Sequence, residues 1–328
     1  MDKKAAIKTM NDLGSTKQPF LFVISYDTNN NCIWPLNEVP DNVLYSIENF
    51  SNTHRDKLKP NKNFRLKTNK IPLLQYKKAF DEVQHHLQQG NTFLTNLTFK
   101  TEIETNISLK DIFLQSKAPY KLLFNNNFVV FSPESFISVS GNHISTFPMK
   151  GTIDASVKNA KEIILNNKKE AAEHATIVDL LRNDLSSVAK NVKVMRYRYF
   201  NEIQTQNKTL LQVSSEIAGE LELNWQEQIG NILFSMLPAG SICGAPKPKT
   251  LEIIKEVENY NRGFYTGVFG IFTGDSLKSA VMIRFIEKED SKLFYKSGGG
   301  ITSMSYLDDE YVELNNKIYV PVVRSSQS

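Results

Sequence analysis

The chain has 328 residues, room for one large domain or two ordinary ones, and 41% of them are hydrophobic, enough for a sizeable core. The 39 lysines and arginines are interspersed with 35 aspartates and glutamates, so the net charge of +4 leaves no basic footprint for nucleic acid. Cys32 and Cys243 form neither a disulfide framework nor a zinc spacing, and no stretch reaches the roughly 20 apolar residues of a membrane span, so a soluble protein of the reducing cytoplasm is expected.

The N-terminus carries lysines but no continuous apolar run of the signal-peptide kind. FLFVISY at 20–26 predicts a short buried strand, with 33–36 as its hairpin partner after a polar turn. Residues 50–70 are polar, basic and irregular, and Lys57 to Lys70 predicts an exposed loop. From Pro72 to Gln89, Leu73, Tyr76, Phe80, Val83 and Leu87 mark one helical face, with Pro72 suited to its start and Gly90 to its stop. His85 and His86 are adjacent on that helix, point at different angles and make poor co-ligands of one another. Residues 92–100 alternate as a strand with one apolar and one mixed face, Asn96 on the latter. A short helix at 109–117 leads to strands near 121–124, 128–131, 136–140 and 143–148.

The stretch Lys169 to Leu185 predicts a mostly buried helix through Ile177, Val178, Leu181 and Leu185. Polar segments follow, then a strand-like run LLQVSSEIAGEL, a helix at 226–237 and another from Leu251 to Glu258. Three strands at 266–273, 278–287 and 292–297 read as a β-meander. Strands cluster without a βαβ rhythm, so the expected fold is α+β, with large antiparallel sheets packed as a sandwich and flanking helices. Residues 1–70 are expected to be a short N-terminal segment of the same fold as 71–328, within one intertwined domain.

Several side chains invite chemistry. Glu170 and Glu173 share a face of the Lys169 helix beside an apolar run. They are either a solvated first turn favouring the helix dipole or ligands of a hard cation such as Mg²⁺. After Gly298, Gly299 and Gly300, a second acidic helix is capped by Asp308 or Asp309 and aligns Glu310, Glu313 and Lys317. The glycine run either presents backbone N–H groups to a carboxylate or forms ordinary turns. GAPKPKT lacks the glycine before lysine that a phosphate loop requires. Lys150 is either a surface charge or a nucleophile. Glu134, in a turn after strand 128–131, is a candidate general acid, and Arg284, flanked by apolar residues of a buried strand, suits bidentate capture of a carboxylate.

The ordered set GNTFLTNLT, FSPESF, FPMKGT, KEAAEHATIVDLLRNDL, GSICGAPKPKTLEIIKEVENYNRGFYTGVFG, VMIRF, and GGGITSMS with EYVELNNK resembles the chorismate-utilising enzymes. These include the anthranilate and aminodeoxychorismate synthase components I and the isochorismate and salicylate synthases. Met149-Lys150-Gly151-Thr152 is similar to the aminodeoxychorismate synthases, where anthranilate synthases have Ala-Gly-Thr. The resemblance implies that Lys150 attacks C2 of chorismate as the C4 hydroxyl leaves, assisted by Glu134. Ammonia then enters at C4 and expels the lysine, giving 4-amino-4-deoxychorismate for 4-aminobenzoate and folate synthesis. It implies Mg²⁺ held by Glu170, Glu173, Glu310 and Glu313, with Glu173 and Glu313 as direct ligands. It implies a substrate site of Arg284, Tyr265, Lys317, the backbone at Gly298–Gly300, and Gly151 and Thr152 beside the lysine.

The position matching the basic lysine of isochorismate and salicylate synthases is Leu94, which argues against water as nucleophile. The chain departs from the family pattern at Leu94, Ser135, Gln212, Cys243 and Asp154. No glutaminase or lyase segment is recognisable, so ammonia is expected from a separate glutamine amidotransferase subunit. Anthranilate synthesis and chorismate binding without turnover remain alternatives.

Overall fold

Two antiparallel sheets organise the chain, each of nine strands among the described residues of this computed structural model, which are 1–53, 64–204 and 209–321. Each sheet belongs to its own compact unit. The first unit comprises Met1–Glu38, Glu134–Ser241 and Val268–Ala280; the second comprises Val39–Pro133, Ile242–Gly267 and the chain from Val281 on.

In the first unit the sheet runs Met149–Asp154, Thr209–Glu220, His143–Thr146, Ser135–Ser140, Ser276–Val281, Val268–Phe272, Phe20–Ile24 and Asn31–Pro35. Phe20–Ile24 is buried on both faces, which explains its unbroken apolar run. Lys190–Gln204 is a fifteen-residue strand paired with Thr209–Glu220, where the sequence predicted only polar segments. Its Val194, Met195 and Tyr197 are exposed, so no buried stripe betrays it. An N-terminal helix, Lys3–Ser15, buries Ala6, Met10 and Gly14 at four-residue spacing. A Cβ at Gly14 would collide with the Gln226 carbonyl, so close approach requires glycine there.

In the second unit the order is Gly244–Ala245, Leu94–Thr105, Lys292–Ile301, Phe285–Glu289, Phe128–Ser132, Tyr120–Phe124, Val43–Ile47 and Phe50–Ser51. The expected meander therefore does not exist as one sheet: Val268–Phe272 and Ser276–Val281 lie in the first sheet, and the last two strands in the second. Within 50–70, Leu66–Asn69 is a strand paired with Leu94–Thr105, which corrects the loop reading; residues 54–63 lie outside the described ones. The helix Leu73–Gln88 buries Tyr76, Phe80, Val83 and Leu87 against Leu97, Phe99, Ile253, Val257, Ile301 and Leu314. Each such side chain contributes about 1.5–3 kcal/mol. Leu94–Thr105 buries Thr95, Leu97, Phe99, Thr101 and Ile103 on one face, and the other is mixed as expected, with Leu94 and Thr98 buried and Asn96 and Lys100 partly exposed; Phe93, counted with the apolar face, is exposed.

Candidate active site

Lys150 owes its position to a bulge. Met149 pairs with Ser214 and Thr152 with Gln212, so one extra residue sits on the Met149–Asp154 strand. Gly151 takes it up at φ +81°, a backbone conformation that favours glycine. The ideal Cβ position on Gly151 lies 3.3 Å from Glu170 Oε2, so the strand passes close to the helix Lys168–Ser186. Lys150 Nζ meets Glu173 Oε2 at 2.5 Å, and Lys169 Nζ lies 4.0 Å from the other oxygen. Glu173 is buried, and these lysines offset the cost of burying its charge. The two halves of this pair were separate expectations in the sequence; their contact was not among them.

His174, next along the helix, is 1% exposed and shares a 2.7 Å hydrogen bond between Nε2 and Ser215 Oγ. Burial first, then Arg198 and Lys150, push its pKa down to about 4. The folded form therefore stays neutral while the unfolded chain takes up a proton near the ordinary histidine value. Stability from this residue is complete above about pH 6.5 and is lost as pH falls through 4, amounting to roughly 3 kcal/mol. Denaturant titrations between pH 4 and 8 should show His174→Gln with a correspondingly weaker acid sensitivity than the wild type. Identical pH profiles would refute the assignment.

Glu134 lies between the strands Phe128–Ser132 and Ser135–Ser140, as expected. Its Oε1 accepts a 2.7 Å bond from Ser241 Oγ, a partner the sequence reading missed although Ser241 stands within the quoted GSICGAPK stretch. Asp184 Oδ2 accepts from Gly240 N at 3.2 Å, fixing the residue beside that serine.

In the second unit, Glu310, Glu313 and Lys317 do share one face of the helix Leu307–Asn316. Asp308 and Asp309 lie in its first turn and do not cap it; Tyr306 occupies the cap position. Gly298–Gly300 belong to a strand paired with Thr98, Leu97 and Asn96. From the ideal Cβ position on Gly299, Glu310 Oε2, Glu313 Oε1 and Lys317 Nζ are each 3.6 Å away. Lys317 Nζ bonds Glu313 at 2.6 Å and the Gly298 carbonyl at 2.8 Å. The Lys317 ammonium shares this point with the two carboxylates, whose oxygens are the donors a hard cation such as Mg²⁺ takes.

Arg284 is not inside a strand. It lies in the bend between Ser276–Val281 and Phe285–Glu289 at φ +53°, with its guanidinium 5.3 Å from the Tyr319 ring centre. Its buried Nε has no hydrogen-bond partner, a donor suited to an anion. Tyr265 is buried, its ring 5.7 Å from that of Phe285, and burial raises its pKa.

A buried ion pair supports this unit. Arg262 Nε and Nη2 donate to the two oxygens of Glu258 at 2.8 and 2.7 Å, and both side chains are 2% exposed. The guanidinium also binds the carbonyls of Ile242 and Asn96, while Thr98 N and Oγ donate to Glu258. The four-residue spacing of Glu258 and Arg262 was the available signal, but no helix continues through it.

Two large antiparallel sheets with flanking helices place the chain in the α+β class that its strand pattern predicted. The chain belongs to the chorismate binding enzyme family, whose model matches residues 14–322. It is 50% identical over 98% of its length to the whole of an uncharacterized PabA-like protein of Pasteurella multocida (strain Pm70). It is 30% identical to anthranilate synthase component 1 of Archaeoglobus fulgidus and 29% identical to aminodeoxychorismate synthase component 1 of Bacillus subtilis (strain 168). Each match takes in 74% of this chain, which spans 60% and 54% of those two proteins. The menaquinone-specific isochorismate synthase of Escherichia coli shares the fold, with a TM-score of 0.72 over 96% of this chain and 80% of that one at 14% identity. Among the described residues no helix is long and apolar enough to cross a membrane.

Proposed function

We propose that the protein is the aminating component of an aminodeoxychorismate synthase, acting in the cytoplasm on chorismate. Residues 71–328 carry the catalytic region, with 1–70 part of the same fold. The observation that carries this reading is Lys150 on its bulge, 2.5 Å from a buried carboxylate. A lysine so placed is a nucleophile once its proton is given up. Its amine forms a bond to C2 of chorismate, the ring double bonds shift, and the C4 hydroxyl departs as water with a proton from Glu134. Ammonia then bonds to C4 and the lysine leaves C2. Ser241 holds the Glu134 carboxyl for that proton transfer. Arg284, Tyr265, Lys317, Gly298, Gly299, Gly300, Gly151 and Thr152 bind and orient the substrate, the cationic groups taking its carboxylates.

Glu170 and Glu173, with Glu310 and Glu313, are the proposed Mg²⁺ ligands, Glu173 and Glu313 directly. Bound Mg²⁺ would supply a cation for a substrate carboxylate and take up the charge that otherwise holds Lys150 as ammonium. Glu173→Gln should weaken Mg²⁺ activation by about 100-fold or more, since removing even an outer-shell partner costs 10–100-fold. An unchanged Mg²⁺ titration would refute the assignment.

Ammonia comes from a separate glutamine amidotransferase subunit or from ammonium. Purified protein given chorismate, Mg²⁺ and ammonium should form 4-amino-4-deoxychorismate, identified by mass spectrometry. Anthranilate, the product of ammonia entering at C2, would mean that the protein acts as an anthranilate synthase. Chorismate bound but unchanged under every ammonia source would mean a binding protein.

A further inference from the structure

A group of side chains of metal-ligating type lies in the second unit and includes none of the residues assigned above. Glu82 and His86 are four apart on the helix Leu73–Gln88, and Glu256 is on the helix Lys247–Val257. His86 Nε2 is 3.7 Å from Glu256 Oε2 and 4.0 Å from Glu82 Oε1, and the three atoms lie within 4.8 Å of one another. The His86 side chain is 13% exposed, and Nε2 itself is buried with no hydrogen-bond partner. Nδ1 is 3.0 Å from Asn91 Nδ2, which also donates to Gln89 Oε1 at 3.3 Å.

We propose that Glu82, His86 and Glu256 bind a divalent transition-metal ion, Zn²⁺ being the best match. One imidazole and two carboxylates are a zinc donor set that leaves a fourth position for water. Tetrahedral zinc bonds place its ligand atoms about 3.4 Å apart. The two glutamate side chains are 50% and 62% exposed, so a small swing of each closes the present gaps while the histidine stays fixed. Zinc on Nε2 requires the proton on Nδ1, so on binding the Asn91 amide turns its carbonyl to the ring and its nitrogen gives up Gln89 Oε1. Two carboxylates neutralise the ion, and its imidazole ligand sets this site apart from an all-oxygen Mg²⁺ shell. The ion would tie together two helices, one of which ends beside Glu258 of the buried ion pair.

The test is thermal unfolding of metal-stripped protein with Zn²⁺ added over a fixed excess of Mg²⁺, paired with direct zinc titration. The wild type should be stabilised by Zn²⁺ and lose at least tenfold in zinc affinity in Glu256→Gln and His86→Gln. Glu256 is exposed, so its variant decides the matter even if the histidine variant folds poorly. No zinc-dependent shift in the wild type would overturn the proposal. An equal affinity in wild type and Glu256→Gln would also overturn it, placing zinc on other residues.

Discussion

Lys150→Ala should lower turnover of chorismate by about 1,000-fold or more, equivalent to about 4 kcal/mol of transition-state stabilisation. The expectation follows from the covalent role: alanine has no group to bond C2, so the two-step route closes. Alanine also takes from buried Glu173 its closer lysine and leaves it Lys169 at 4.0 Å. Lys150→Arg separates the two effects. Its guanidinium keeps the positive charge beside Glu173 but stays protonated and does not act as a nucleophile. The arginine variant should therefore unfold near the wild-type midpoint and still be inactive. Near-normal turnover in either variant would remove the nucleophile role, and full activity in the arginine variant alone would reduce Lys150 to a charge.

Arg262→Ala should destabilise the protein by about 3–5 kcal/mol, the usual cost of removing one partner from a buried ion pair. Glu258 would keep the Thr98 donors but lose both guanidinium bonds, and the carbonyls of Asn96 and Ile242 would lose theirs. Replacing both partners together, as Glu258→Gln with Arg262→Met, should cost less than the single arginine change, because no unpaired charge stays buried. Urea denaturation of the three variants checks this. A single-variant loss below 1 kcal/mol would show that the pair is not a structural hub.

The helices were largely legible in the sequence because their buried faces repeat at helical spacing. Tyr76, Phe80, Val83 and Leu87 are buried as that spacing required, whereas Leu73, counted with them, is 44% exposed at the helix start. The strand Lys190–Gln204 was illegible for the converse reason: its apolar side chains face solvent and are interleaved with lysine and arginine. Arg284 looked like a strand residue because its neighbours are apolar, but spacing carries no sign of a positive φ at one position. The same limit applies to the sheets. Ser276–Val281 and Phe285–Glu289 follow one another with three residues between them, and only tertiary pairing assigns them to different sheets. Within the candidate site, the i, i+3 and i+7 spacing correctly grouped Glu310, Glu313 and Lys317, since one helix fixes it. The Lys150–Glu173 and Glu134–Ser241 contacts span 23 and 107 positions, beyond the reach of local pattern.

Peptide mass spectrometry of the wild-type protein shows whether Lys150 carries the ring during amination. Protein is incubated with chorismate and Mg²⁺ while ammonia is withheld, then quenched and digested. A Lys150-containing peptide heavier by chorismate less one water is expected, lost again when ammonium is supplied. An aminated product appearing on ammonium addition, from protein whose Lys150 peptide stays unmodified throughout, would contradict it.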